Sequence, residues 1–209
     1  YALGSSLISI GLSLLLVLSV LHVLPSPSLL ASSAIRMNVM EMTLLSKRIL
    51  HGRVLHLESL RKGSMVFTDV TVEVDESIKG KAPRRAHFRI PGGVVGDYGV
   101  AVPGCPRFSL GEEIVVFLEG ESGKIVCGMA QGKFSVIRSQ KDGKAKAVQD
   151  TRGLCLLEGR KPGPKEDGGP SEPWAQGKSR LQYIRGSVLE LPLSELKKSI
   201  RSYLYEEPE

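Results

Sequence analysis

Met65-Val66-Phe67-Thr68-Asp69-Val70-Thr71-Val72-Glu73-Val74-Asp75-Glu76-Ser77-Ile78 carries the clearest structural signal in the chain. Val70, Val72 and Val74 alternate with Thr71, Glu73 and Asp75. Successive side chains of a strand point to opposite faces, so this alternation predicts an antiparallel strand with one face in a core and one in water. A second stretch, Ile114-Val115-Val116-Phe117-Leu118, has no polar position. It predicts a central strand buried on both faces.

The flanking segments extend this mostly β reading. Arg48 to Glu58 predicts a strand in which Gly52 marks a bulge or tight bend, preceded by a short helix or turn over Glu41 to Arg48. Arg61-Lys62-Gly63-Ser64 and Lys79-Gly80-Lys81-Ala82-Pro83 read as turns, and Ala86 to Ile90 as a returning strand ended by Pro91-Gly92-Gly93. Lys124 to Gly128 and Lys133 to Arg138 supply two further strands, and Ala145 to Val148 an edge strand. Val94 to Leu110 forms a long loop containing Gly and Pro, a length that in compact domains often accompanies function. Near the end, Leu193, Leu196, Ile200, Tyr203 and Leu204 share one helical face, with Ser194 as N-cap after Pro192. Residues 159–180 are dominated by Pro, Gly, Lys and Glu, with Trp174 as their one large apolar residue, and read as a flexible insertion.

The first 35 residues contain no Lys, Arg, Asp or Glu, and Leu7 to Leu24 is a nearly continuous apolar run. Pro25 and Pro27 break it, and Ala31-Ser32-Ser33-Ala34 offers small residues of the A-x-A type. This is the pattern of a secretory signal peptide, with cleavage expected after Ser33 or Ala34. As a helix the run would reach roughly 27 Å, so a retained membrane anchor is the alternative. Both readings put the body outside the cytoplasm, periplasmic or secreted in a bacterium. The organisation is then 1–34 leader or anchor, 35–158 β domain, 159–180 insertion, and 181–209 a final strand and helix.

The net charge of +6 belongs wholly to the body. Lys79, Lys81, Arg84, Arg85 and Arg89 cluster without an acid among them, as a solvated hairpin or a patch for an anionic polymer. Asp97, Tyr98 and Arg107 in the long loop are the other binding candidates. Cys105, Cys127 and Cys155 are candidates for one disulfide in an exported domain, either Cys105–Cys127 or Cys127–Cys155, which leaves one thiol over. His51 and His56 lie five apart, on opposite faces of a regular strand, and lack a third metal ligand. The chain contains no His-Glu-x-x-His, Gly-x-Ser-x-Gly or Walker motif. No catalytic residue, metal or cofactor is expected.

Short strands, Gly turns and a terminal helix suggest a small OB-fold-like antiparallel barrel with a C-terminal amphipathic helix. Gly52-Arg53-Val54, Thr68 to Gly80, Phe108 to Leu118 and Cys127 to Val136 sharpen this. These segments resemble a group of uncharacterised exported bacterial proteins. More distantly they are similar to the OB-fold of the netrin and tissue-inhibitor-of-metalloproteinase superfamily. The inhibitors of that superfamily work through a Cys-x-Cys segment, and this chain has none. The resemblance therefore implies a scaffold rather than an inhibitory wedge. The expectation is a non-enzymatic binding module for a protein partner in the envelope or extracellular space. A protease-inhibitor-like protein, an anionic glycan or nucleic-acid binder, and a passive membrane-anchored envelope protein are the alternatives.

Overall fold

The computed structural model describes residues 32–159 and 181–205. The expected leader helix and the insertion with Trp174 lie outside the described residues. In chain order the elements are β1 (Ser32–Ile35), α1 (Val39–Leu45), β2 (Arg48–Lys62), β3 (Met65–Lys79), β4 (Arg85–Pro91), β5 (Gly93–Val95), β6 (Tyr98–Val100), β7 (Glu113–Glu119), β8 (Ile125–Val126), a 3-10 turn (Met129–Gly132), β9 (Lys133–Arg138), β10 (Ala145–Asp150), β11 (Leu154–Gly159), β12 (Leu181–Arg185), β13 (Val188–Pro192) and α2 (Leu193–Tyr205). The fold is mostly β with antiparallel sheets and a C-terminal helix. Among the described residues no helix is long and apolar enough to cross a membrane.

The main sheet runs β13-β10-β9-β7-β2-β3-β4, with β8 added beside β7. The expected barrel does not close: the path is open, with β4 and β13 at its ends. Among the described residues, the backbone N–H of Arg89 in β4 reaches the Lys124 carbonyl next to β8 at 3.3 Å. The expected edge strand is internal, since β10 pairs with both β9 and β13. β13 thus joins the main sheet from the far side of the insertion, which no local pattern could indicate.

β7 is the centre of this arrangement. Ile114, Val116 and Leu118 face one core with Leu50, Val70, Val72, Ala86, Phe88 and Ile90. Val115 and Phe117 face a second core with Met42, Ile49, Phe134, Leu196 and Ile200. The first core is lined by the sheet, with Ala82 and Phe108 of the loops packed against it, and among the described residues no helix covers it; the second is covered by α1 and α2. β2 serves both cores by simple alternation, Ile49 facing one and Leu50 and Val54 the other, while register shifts interrupt its pairing with β3, including one at His51/Gly52. Gly52 is required there: a Cβ at this position would lie 2.1 Å from the Glu73 carbonyl oxygen. Asn38 caps α1 in a reciprocal box with Glu41. α2 buries Leu193, Leu196 and Ile200, as its spacing predicts, but it begins at Leu193, so Ser194 lies within the helix rather than at its cap.

β1 overlaps the end of the expected leader, 1–34. Ser32 to Ile35 pair in parallel with Leu154 to Leu157 of β11, which in turn pairs with β12. Ala34 packs against Ala130, Leu154 and Leu156, the Ser32 hydroxyl donates to the Pro103 carbonyl at 2.7 Å, and the Gln131 amide donates to the Ile35 carbonyl at 2.9 Å. A cut after Ser33 or Ala34 would divide this strand. Mass spectrometry of the native protein is therefore expected to find no new terminus within residues 32–35; a chain starting at Ala34 or Ile35 would remove β1 from the functional fold.

Phe117 is fully buried and packs 5.8 Å, centroid to centroid, from Phe134. Phe117→Ala is expected to destabilise the protein by about 3–5 kcal/mol, because it opens a cavity in the helix-covered core. Equilibrium urea denaturation measures this; a loss below about 1 kcal/mol would mean the two-core description is mistaken.

Candidate functional site

Two constellations stand out: a buried charge network and an apolar cleft. The network starts at His51, which strand alternation places on the same face of β2 as Ile49. His51 and Glu113 are 6 % and 7 % exposed, and His51 Nε2 lies 2.9 Å from Glu113 Oε1. Lys197 Nζ of α2 lies 3.0 Å from His51 Nδ1 and 2.7 Å from Glu76 Oε2. An ammonium only donates, so Nδ1 accepts and the ring proton sits on Nε2, toward Glu113. Arg138 donates to both Glu113 oxygens at 2.8 and 2.5 Å, and Arg201 to Glu76 at 2.5 Å. Both ring nitrogens of His51 are thus occupied. The arrangement clamps α2 onto β2, β3 and β7. His56 lies exposed, 3.9 Å from Glu58. Among the described residues, no group of three or more His, Cys, Asp or Glu could hold a metal ion.

The cleft lies where the long loop crosses the end of the sheet-lined core. Its volume is about 530 Å³. Leu57, Ser59, Thr68 and Ile90 line it from the sheet, and Val100, Val102, Cys105, Arg107 and Phe108 from the loop. The expected featureless loop contains the β5–β6 hairpin, with Val94 paired to Gly99. The start of the loop is held by a chain of hydrogen bonds: Val94 N–H to Ser59 Oγ at 3.3 Å, Ser59 Oγ to Thr68 Oγ1 at 3.0 Å, and Thr68 Oγ1 to the Gly92 carbonyl at 2.8 Å. Gly93 makes this approach possible. Its φ is +140°, and a Cβ would lie 2.4 Å from both hydroxyl oxygens. The end of the loop is held by Glu112, which accepts from Ser109 N at 3.0 Å, Ser135 Oγ at 2.7 Å and Lys133 Nζ at 2.6 Å. Lys133 also donates to the Arg107 carbonyl at 2.5 Å and stands 5.0 Å from the Phe108 ring centroid. Phe108 packs edge-on against Phe88 at 5.3 Å. The cleft is therefore pre-formed.

The expected binding residues divide. Arg107 lines the cleft. Tyr98 stands exposed on β6 with the Arg61 guanidinium 5.0 Å over its ring, and Asp97 is exposed in the β5–β6 turn. The basic hairpin divides too. Lys79 donates to the Thr43 and Leu44 carbonyls at the end of α1, at 2.6 and 3.2 Å, and burial, then Lys47, lower its pKa. Arg89 makes a two-pronged surface pair with Asp69 at 2.6 and 2.7 Å, and the exposed Arg84 pairs with Glu73 at 3.3 Å. Lys81 and Arg85 are exposed without an ion pair among the described residues. Of the five cations read as a solvated hairpin or an anionic-polymer patch, two are thus without an internal partner among the described residues.

The cysteines correct the disulfide expectation: all three are free. Cys127 lies in the helix-covered core, where burial above all pushes its thiol up to about 12. Cys105 faces the cleft, its pKa also raised by burial. Cys155 sits between Leu154 and Leu156, which face the small third core, so its own side chain points the other way. Sequence reasoning missed Ser59, Thr68 and Gly93 as the residues that shape the cleft; the Gly92-Gly93 pair was their one local signal. No family model, curated protein or solved structure matches the chain.

Hydrogen bonding by Arg138 holds the Glu113 carboxyl below its ordinary value of 4.5 against the opposing effect of burial, with His51 assisting. At Glu76 burial raises the value, and the bonds from Lys197 and Arg201 outweigh it. Lowered folded values mean that the stability these groups contribute is complete above about pH 4.5 and is lost as pH falls through them. Urea midpoints are expected to drop in that acidic window, and Glu113→Gln to flatten the drop while costing about 1–3 kcal/mol at neutral pH. An unchanged acid slope in the variant would remove Glu113 from the clamp.

Proposed function

We propose that this chain is an exported, non-enzymatic binding module built on an OB-fold-like curled sheet, and that it engages a protein partner of the envelope or extracellular space. The observation that carries this is the pre-formed apolar cleft with an exposed apolar rim. Val94, Tyr98 and Leu110 are 67 %, 47 % and 66 % exposed on the loop that bounds the cleft. A binding surface typically combines such apolar and aromatic anchors with a polar surround. Pockets at the open ends of curled β-sheets are common ligand sites. The non-enzymatic reading is supported by the saturation of His51, whose two ring nitrogens are both engaged. An anionic polymer is the weaker choice, because Lys79, Arg84 and Arg89 already have internal partners.

Affinity capture tests this. The full chain, immobilised and exposed to envelope extract and culture supernatant of the source organism, is expected to retain one protein that withstands moderate salt. Val94→Asp together with Tyr98→Ala should abolish its capture. Material that washes off steeply with salt, or equal capture by the double variant, would overturn the protein-partner reading.

A further inference from the structure

The cleft has a chemistry of its own, separate from its rim. Its volume of about 530 Å³ falls within the roughly 300–1,000 Å³ of small-molecule sites. Leu57, Ile90, Val100, Val102 and Phe108 make its walls apolar. The polar side chains at its sheet side ask nothing of a ligand: Ser59 and Thr68 complete each other's hydrogen bonds and those of Val94 and Gly92. Burial keeps the Cys105 thiol protonated, so it too presents a neutral surface.

One group does not fit a purely apolar occupant. Arg107 is the single charged residue of the lining. Its guanidinium is exposed, and among the described residues it has no ion pair or side-chain hydrogen bond. Its backbone, by contrast, is fixed through the Lys133 bond to its carbonyl. No carboxylate lines the cleft to neutralise it. A free guanidinium at the edge of an apolar cavity matches a carboxylate that it can grip with two parallel N–H donors.

We propose that the cleft binds a free carboxylic acid with a medium-length apolar chain, the chain against Leu57, Ile90 and Phe108 and the carboxylate on Arg107. This goes beyond the binding-module reading and rests on it only for the choice of face. Binding is non-covalent, and the ligand leaves the protein unchanged.

The test uses dodecanoate as probe, the full chain free of detergent, and the cysteines as reporters. Cys105 faces the occupied space, Cys155 is a half-buried reference outside it, and Cys127, buried in the core, reports unfolding. Iodoacetamide labelling of each is followed by peptide mass spectrometry. Saturating dodecanoate is expected to slow Cys105 about fivefold or more, because closed-off thiols are shielded in proportion to occupancy, and to leave Cys155 unchanged. Dodecanol should protect far less. Arg107→Gln should raise the half-saturating dodecanoate concentration about tenfold, the loss expected for a charge-assisted pair, with Arg107→Lys in between and Cys127 unreactive in both variants. An unaltered Cys105 rate at saturation overturns the ligand; equal protection by dodecanol, or no effect of Arg107→Gln in a variant whose Cys127 stays protected, overturns the carboxylate. If dodecanoate fails while the rim variants still lose the captured protein, the ligand proposal falls and the binding module stands. Protection without any captured protein gives the converse.

Discussion

A strand buried on both faces must be covered twice, and β7 imposes that requirement on everything around it. Its five central residues are fully buried, and none can turn toward water without emptying one core. Ile114, Val116 and Leu118 demand a sheet that curls over them, which β2, β3, β4 and β8 provide. Val115 and Phe117 demand helices, which α1 and α2 provide. β2 answers both demands by alternation, supplying Ile49 to one core and Leu50 and Val54 to the other. Register shifts interrupt its pairing with β3, and Gly52 permits the close approach of the Glu73 carbonyl there.

The charge clamp lies on the helix-covered face. Alternation puts His51 on the same face of β2 as Ile49, beside Glu113, where a lone polar pair would be costly to bury. The cost is offset by completing the bonds of every member: Arg138 on one side, Lys197, Glu76 and Arg201 on the other. α2 therefore docks by two mechanisms at once. Leu193, Leu196 and Ile200 give it apolar area, and Lys197 fixes its rotation and position along the sheet. Polar networks of this kind are best understood as selecting one arrangement among several of similar apolar burial.

The parts that were legible in the sequence are those with a local period. The Val70-Val72-Val74 alternation and the apolar run Ile114 to Leu118 gave β3 and β7 correctly, and Gly52 marked the bulge. The helical face of Leu193, Leu196 and Ile200 was equally plain. What failed was non-local. Whether β4 meets β8 to close a barrel depends on twist and strand length rather than composition. That β10 has β13 on its outer side depends on a segment more than thirty residues away. The small residues Ser32 to Ala34 suit a tightly packed strand such as β1 as well as the expected cleavage site. At the candidate site, loop length and Arg107 were visible, but the depletion of the basic hairpin was not. Lys79, Arg84 and Arg89 look free in a linear reading and are paired across the register of β3 and the end of α1.

The cleft follows from the same constraint that opens this account of the fold. A sheet that curls over β7 without closing ends in an open mouth, lined by Phe108, which packs on Phe88. Loops placed over apolar mouths ordinarily collapse into them, because buried apolar area is favourable. Here collapse is opposed at both ends. The Ser59–Thr68 bonds and the crowding at Gly93 fix the start of the loop. Glu112 and Lys133 fix its end. The loop is held off the core by hydrogen bonds whose donors and acceptors would be stranded if it moved inward. A cavity kept open by fully satisfied polar contacts, with one unpartnered guanidinium at its edge, has the features of a site shaped for an occupant rather than a packing defect.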